Sequence, residues 1–516
     1  MKVATCIVYG LIFLLSGADA CAEREIAFAV YDVPSAGTVA IPLRQDGWTE
    51  GAFADVDAAS DGALLRAVDA VAFRAETNQI LDLPGVGPFD RVILVGVGGE
   101  PLTPRVFEEA GGLIGQAGAN SPAARIDILW AGSESDAGEH LAFGAALGQY
   151  RFTEYRSPDP ELPVVGEGDF VIRTSDGEAD QAVYRSQWAP VNRAVRFTRD
   201  VISEPANAIY PETFVQRVRE AVDGLENVRI EVLDVAAMEK LGMGAILAVG
   251  KGSQRPPRLL VVRYDGGRRN DAPLAFVGKG ITFDSGGISL KENEGMWKMK
   301  YDLSGAAAAT GAVLALAGRR APVNAVAVAA LAENMPSGSS GRPGDVIRTM
   351  SGKTFEVMST DAEGRMVLSD AVWYTQQQFK PRVMIDLATL TGAVRTALGD
   401  EYAGVFSRHD ELAGQLVAAG KKSGEDLWRL PLHPSYGRDL ESPIADLRNS
   451  AGAGAGAGAG VGAFFIGAWV DEAMPWAHID IAGMAWSEKE GIPTAPAGAT
   501  AYGVRLLDRF VREYYE

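Results

Sequence analysis

The amino-acid sequence predicts an α/β protein of two domains, a smaller N-terminal α/β domain and a larger C-terminal domain whose mostly parallel mixed sheet lies between helices. Two observations carry this. A chain of 516 residues is too long for one ordinary hydrophobic core. Short β-rich runs alternate with Ala-rich helical stretches along it, the pattern that lays helices over the faces of a parallel sheet.

Lys2 is followed by an apolar run from Cys6 to Leu15 and then by Ala18-Asp19-Ala20, so residues 1–20 read as a signal-like leader with a small-residue cleavage pattern. Cleavage after Ala20 would leave Cys21 as the only thiol, and no intramolecular disulfide would be available to the mature chain. A lipoprotein reading through Cys21 ranks low, because Ala18 stands where a lipobox usually carries Leu.

Residues 25–180 form the expected N-terminal domain, with strands such as Ile26–Val30 and Arg91–Val97 and a helical stretch at Ala59–Ala75. No catalytic pattern stands out there. Polar, acidic sequence from Gly166 to Asp180 marks its boundary. A connecting helix is expected over Gln187–Ser203, stopping before Glu204-Pro205 because a residue preceding proline is pushed out of the helical region.

The second domain, residues 194–516, begins within that helix. Leu259–Tyr264, Leu274–Val277, Asn324–Leu331 and Val383–Leu387 read as strands, and Leu303–Ala317 and Arg365–Gln378 as helices. The Gly/Ala alternation from Ala451 to Gly462 reads as a flexible loop running into a tightly packed helix at Ala463–Val470, since Gly-rich sequence has weak strand preference.

Composition narrows the function. Hydrophobic residues at 47% and charged residues at 22% are those of a globular chain rather than a disordered or multi-span membrane protein, and no stable membrane span is expected in the mature chain. A formal net charge of −19, with no basic run interleaved with aromatics, argues against nucleic acid as a partner. The histidines at 140, 409, 433 and 478 have no paired ligand spacing, and there is no GxSxG elbow or Cys/His pair. Carboxylates remain.

They gather in VGKGITFDSGGISLK from Val277, continuing to Asp302, and in STDAEGR from Ser359. The strand Leu274–Val277 should end at Gly278, leaving Lys279 and Asp284 on a loop at its carboxyl end, where open α/β sheets bind ligands. Asp302 precedes a long Ala-rich helix, as an N-cap or pointing into a site. Asp361 and Glu363 should project together just before the Arg365 helix. Oxygen donors so clustered suit hard or borderline divalent cations, although each acid alone reads as a cap or a solvated helix start.

These motifs, with MKYDLSGAA, IDLATLTGA, MGAILAVGKGS, AENMPSGSSGRPGDV and WAHIDIAG, resemble the leucyl aminopeptidase family across nearly the whole second domain. The resemblance implies a metal-dependent aminopeptidase that cleaves the N-terminal residue from peptides, leucine or another apolar residue, by a water held between two divalent ions. The ions would be manganese or zinc, or magnesium.

By the same resemblance, Asp284 and Glu363 bridge both ions, Lys279 and Asp302 complete the tighter site, and Asp361 completes the more exchangeable one. Lys291 and Arg365 are the implied catalytic pair, with bicarbonate held by Arg365, while Met299, Ser359, Ala362, Thr389, Leu390 and Gly392 line the substrate pocket. Four carboxylates offset two divalent charges, and Lys279 can ligate only as a neutral amine, a state open to lysine and closed to arginine.

Ser359 stands where the family usually has Asn, and Ser304 where Gly or Cys precedes Gly305. Assembly as a homohexamer is implied. The leader points to export and the resemblance to the cytoplasm. Two other classes stand beside this one: a non-catalytic scaffold or binding protein with the peptidase fold, disfavoured by retention of the whole set, and another two-metal hydrolase such as a phosphoesterase, which lacks a basic phosphate clamp here.

Overall fold

The computed structural model describes residues 23–157, 166–451 and 456–516. The expected leader, residues 1–20, lies outside them. No helix among the described residues is long and apolar enough to cross a membrane.

The first sheet has six strands in the order Glu25–Val30, Asp169–Thr174, Arg125–Leu129, Gly37–Arg44, Phe89–Gly98 and Ile80–Val86. All neighbours are parallel except the closing pair, Ile80–Val86 with Phe89–Gly98. Helices Pro104–Ala119 and Ala137–Gly148 pack closely, because a side chain on Gly111 or Gly115 would strike the carbonyls of Leu141 or Ala145. The acidic stretch expected as a boundary contains the strand Asp169–Thr174. The helix expected over Ala59–Ala75 is two, Gly51–Ala59 and Ala63–Val71, because the chain turns at Asp61 and Gly62, both at positive φ. Alanine content reported helix there without locating its break.

The connecting helix Ala189–Ser203 continues a helical segment that begins at Gly177, earlier than expected, through a π-helical turn at Tyr184–Trp188. Arg199 on it is fully buried and ties the two halves together. Its guanidinium donates to the Leu147 carbonyl at 2.7 Å on one side, and to those of Thr494 at 2.6 Å and Thr500 at 3.3 Å on the other.

The second sheet has eight strands in the order Leu427–Arg429, Ala403–Ser407, Trp476–Asp480, Val383–Ala388, Leu274–Asp284, Asn324–Asn334, Arg258–Asp265 and Val228–Leu233. Its middle, from Trp476–Asp480 to Asn324–Asn334, is parallel, and antiparallel pairs flank it. Strand Asn324–Asn334 is buried throughout, as expected where helices cover both faces.

The strand expected to stop at Gly278 runs on to Asp284, so Lys279 lies within it rather than on a loop. Pairing with Asn324–Asn334 carries it forward, with a register shift at Ala332/Glu333 near its end. Glycine at 278 reports close approach, not a turn. A Cβ there would fall 2.4 Å from Ala306 Cα and the Gly305 carbonyl, and one on Gly305 would fall 2.1 Å from the Leu387 carbonyl. Helix Ser304–Gly318, made largely of alanine, thereby lies directly on the sheet.

Helix Gly458–Gly467 begins inside the Gly/Ala tract, earlier than the Ala463 start expected, with residues 452–455 outside the described set. Glycine permits this by packing: a Cβ on Gly460 would meet the Tyr436 ring at 2.4 Å. Where the chain between sheet and helix is small, backbone replaces side chain as the packing surface.

Candidate active site

The carboxyl ends of the central parallel strands bring the predicted residues together. Asp284 ends its strand, and a Gly286-Gly287 turn at positive φ then folds the chain back. A Cβ on Gly287 would lie 2.7 Å from Asn334 Oδ1. Asn334, ending the neighbouring strand, donates to Asp284 Oδ1 at 2.7 Å and to the Thr360 carbonyl at 3.0 Å. Thr360 in turn accepts from the Ser289 N–H and donates to the Gly286 carbonyl. Asp284 is thereby locked to the segment that carries Asp361.

Lys279 is 3% exposed, and its Nζ lies 2.8 Å from Asp302 Oδ1, 2.8 Å from Glu363 Oε1 and 2.8 Å from the Thr389 carbonyl. Its stem passes over Gly364, where a Cβ would meet Lys279 Cδ at 2.5 Å, which explains glycine after Glu363. Asp302 lies in the 3-10 segment Met296–Leu303, makes no cap bond, and accepts from Thr389 Oγ1 at 2.7 Å. Of the two roles open to it in sequence, it takes the inward one. Glu363 opens helix Glu363–Phe379, two residues earlier than a start at Arg365. Lys291 Nζ pairs with Asp284 Oδ2 at 2.7 Å and contacts Asp361 Oδ1.

Burial opposes charge here and the partners decide. Desolvation pulls Lys279 down, but Asp302, Glu363 and Asp284 outweigh it and hold its ammonium above the ordinary lysine range; Lys291 is raised in the same way by Asp284 and Glu363. Burial, then Glu363, pushes Asp284 up to about 6. Asp302 is raised by burial, whereas Glu363 is held below its usual value by the two lysines despite burial.

The donor set fits divalent cations. Asp284, Asp361 and Glu363 each offer an oxygen within 4.8 Å of the others. Asp302 Oδ2 and Glu363 Oε2 are buried without a hydrogen-bond partner among the described residues, a state that carboxylates avoid unless something positive is meant to face them. No histidine joins the cluster: His478 pairs with Asp386 and His140 with Glu108.

Arg365, two residues beyond Glu363, stands apart from the ion pairs. Its Nη1 donates to the Asn449 carbonyl at 3.0 Å, its Nε is buried without a partner, and burial lowers its pKa. Among the residues expected to line the substrate pocket, Ser359 Oγ accepts from the Asp361 N–H at 3.2 Å, and Ala362 is the residue before the Glu363 helix. Met299 packs half-buried in the 3-10 segment, Leu390 donates its N–H to Asp480, and Gly392 opens a short helix with no atom within 4 Å of a Cβ placed there. Ser304, the other departure from the family pattern, is buried and donates to the Tyr301 carbonyl.

Three structural partners of the site were not singled out from sequence. Asn334 and Asp480 lie inside motifs AENMPSGSSGRPGDV and WAHIDIAG, so the signal was present as a motif without a role. Asn449 had none. It is fully buried, accepts from the Met358 and Ser359 N–H groups, and donates to the Ser359 carbonyl at 2.7 Å, joining the Asp361 segment to the short strand Leu447–Arg448 before the Gly/Ala tract.

Fold and site define an α/β protein whose buried acidic centre is suited to divalent cations. Residues 196–508 match the catalytic domain of the cytosol aminopeptidase family, and residues 40–159 match its N-terminal domain. A probable cytosol aminopeptidase of Caulobacter vibrioides is 44% identical over 95% of this chain and 100% of its own, and one from Nitrobacter winogradskyi is 42% identical over 95% and 98%. Among solved structures, a tomato leucine aminopeptidase mutant superposes with a TM-score of 0.85 at 30% identity, covering 96% of this chain and 97% of its own. The bottromycin maturation enzyme BotP in complex with Mn gives 0.80 at 31%, covering 93% and 99%. The chain belongs to the cytosol aminopeptidase family. It is accordingly a peptidase, of the metal-dependent aminopeptidase class.

Proposed function

We propose that this protein removes single residues from the N-termini of short peptides with two divalent cations, manganese or zinc, or magnesium. Asp284, Asp302, Asp361 and Glu363 would hold them, with Lys279 joining as a neutral amine once the arriving cations displace the proton it carries in the metal-free protein, and the unpartnered oxygens of Asp302 and Glu363 are the observation that carries this assignment. When bound, such ions polarise a carbonyl and bring the ionisation of water close to neutral pH. The substrate's free amino group is recognised at the same acidic centre, which limits cleavage to the first residue.

Lys291 is the catalytic cation for the carbonyl. Its raised pKa keeps it an ammonium at neutral pH, able to donate to the oxyanion as negative charge develops there. Arg365 cannot act as a base. Its unpartnered, buried Nε fits an anion, and bicarbonate held there would move the proton. Met299, Ser359, Ala362, Thr389, Leu390 and Gly392 would form the pocket for the first side chain, with an apolar residue such as leucine preferred. The domain limits proposed are residues 25–180 and 194–516 about the connecting helix, and the assembly a homohexamer.

N-terminal selectivity is tested with a leucyl peptide and the same peptide acetylated. Hydrolysis of the free peptide alone is expected. Equal cleavage of both, or cleavage of a phosphate ester instead, overturns the assignment.

A further inference from the structure

Asp480 belongs to none of the ion pairs of the centre, yet its carboxylate bonds Leu390 and Thr391, in the segment that closes it, besides the nearby Ala482 N–H. It ends strand Trp476–Asp480, fully buried, opposite Ala388 in the parallel register. Its Oδ1 accepts from the Leu390 N–H at 3.1 Å and the Ala482 N–H at 3.2 Å, and its Oδ2 accepts from the Thr391 hydroxyl at 2.6 Å. A carboxylate out of water is tolerated only while donors surround it, so displacing these residues would strand a buried charge.

The residue immediately before this clamp is Thr389. It faces two of the proposed ligands at once: its carbonyl accepts from Lys279 Nζ at 2.8 Å and its hydroxyl donates to Asp302 Oδ1 at 2.7 Å. Both bonds need the backbone of residues 389–391 in one conformation. Strand Val383–Ala388 delivers that backbone, and the Ile481 N–H bonds the Ala388 carbonyl at 2.8 Å just before the loop begins.

We infer that Asp480 is a positioning residue for cation capture: by clamping Leu390 and Thr391 it fixes Thr389, which aims Lys279 and Asp302 into the centre. The inference rests on the cation site proposed above. Outer groups of this kind set the orientation of the ligands, and their loss typically weakens metal affinity about 10–100-fold. A rival route exists through charge, since Asp480 also acts electrostatically on Arg365. Asp480→Asn separates the two. It keeps an oxygen for both N–H groups and an amide that Thr391 Oγ can accept from, while removing the charge.

The experiment titrates metal-free full-length protein with Mn2+ by calorimetry, with thermal unfolding of the same samples as the control for folding. Asp480→Ala is expected to weaken Mn2+ binding roughly tenfold or more, and Asp480→Asn to stay within about threefold of the unaltered protein. Thr391→Val, which removes one arm of the clamp at a less buried position, should weaken binding by an intermediate factor and decides the matter should Asp480→Ala not fold. Mn2+ affinity unchanged in Thr391→Val and in a folded Asp480→Ala overturns the inference alone. So does a loss in Asp480→Asn as large as in Asp480→Ala, which assigns the effect to charge. An unaltered protein that takes up no Mn2+ overturns the proposed cation site itself, and the inference with it.

Discussion

Lys279 is a cation sealed inside the protein, and what keeps it there is three oxygens at one distance, two anionic and one a backbone carbonyl. Lys291, more open, faces the other two acids. Two lysines against Asp284, Asp302, Asp361 and Glu363 leave a centre that is negative and unsatisfied, so the two lysines should respond differently to removal. Lys291→Met is expected to lower kcat by roughly 100-fold or more through loss of oxyanion stabilisation, while Mn2+ binding is no weaker. A parallel loss of both would place Lys291 among the ligands instead. Asp284 gives a pH test on the metal-free protein. Its folded pKa, pushed from 3.8 to about 6 by burial and Glu363, makes its ionised form a burden on the fold. That burden is absent below pH 3.8, grows as pH rises to about 6, and is constant above. In chelator, Asp284→Asn should therefore stabilise the fold at pH 7.5 by more than at pH 4.5. A gain that does not grow with pH would contradict it. At this scale the proposed ligands were readable because they crowd into two short motifs. Asn449 was not, since a lone asparagine carries no pattern and only the fold brings it to Ser359 and Arg365.

Elements were read well in kind and less well at their ends. Gly278 reads in sequence as a strand terminus, but the strand continues and the glycine instead admits helix Ser304–Gly318; the Ala59–Ala75 helix breaks at Gly62; and the Gly/Ala tract turns helical at Gly458. In each case glycine or alanine marks either a turn or a close approach, and only the neighbouring element decides which. Packing makes this testable. Gly305→Ala drives a methyl into the Leu387 carbonyl and should lower stability by about 1–3 kcal/mol or more, read as a lower thermal midpoint. Gly392→Ala meets nothing within 4 Å and should leave the midpoint unchanged while altering the preference for the first side chain. Equal midpoints for the two variants would contradict the packing described here.

For the molecule as a whole, the two sheets are joined through Arg199 and by contacts such as Gln116 Nε2 with the Ile492 carbonyl at 2.6 Å, so the catalytic half is not free to move independently of the first. Cation binding should then stabilise a large part of the chain. At a free Mn2+ concentration 100 times the dissociation constant the stabilisation is about 2.7 kcal/mol, seen as a rise in the thermal midpoint that Asp361→Ala reduces. An unchanged midpoint would contradict it. Cation-dependent cleavage at the N-terminus is tested most directly by release of the first residue from Leu-p-nitroanilide and short peptides by the purified protein, with and without added manganese or zinc. Release that depends on the metal and disappears in Asp361→Ala is the predicted result; no release with any metal or first residue would contradict it and leave a peptidase fold without peptidase activity.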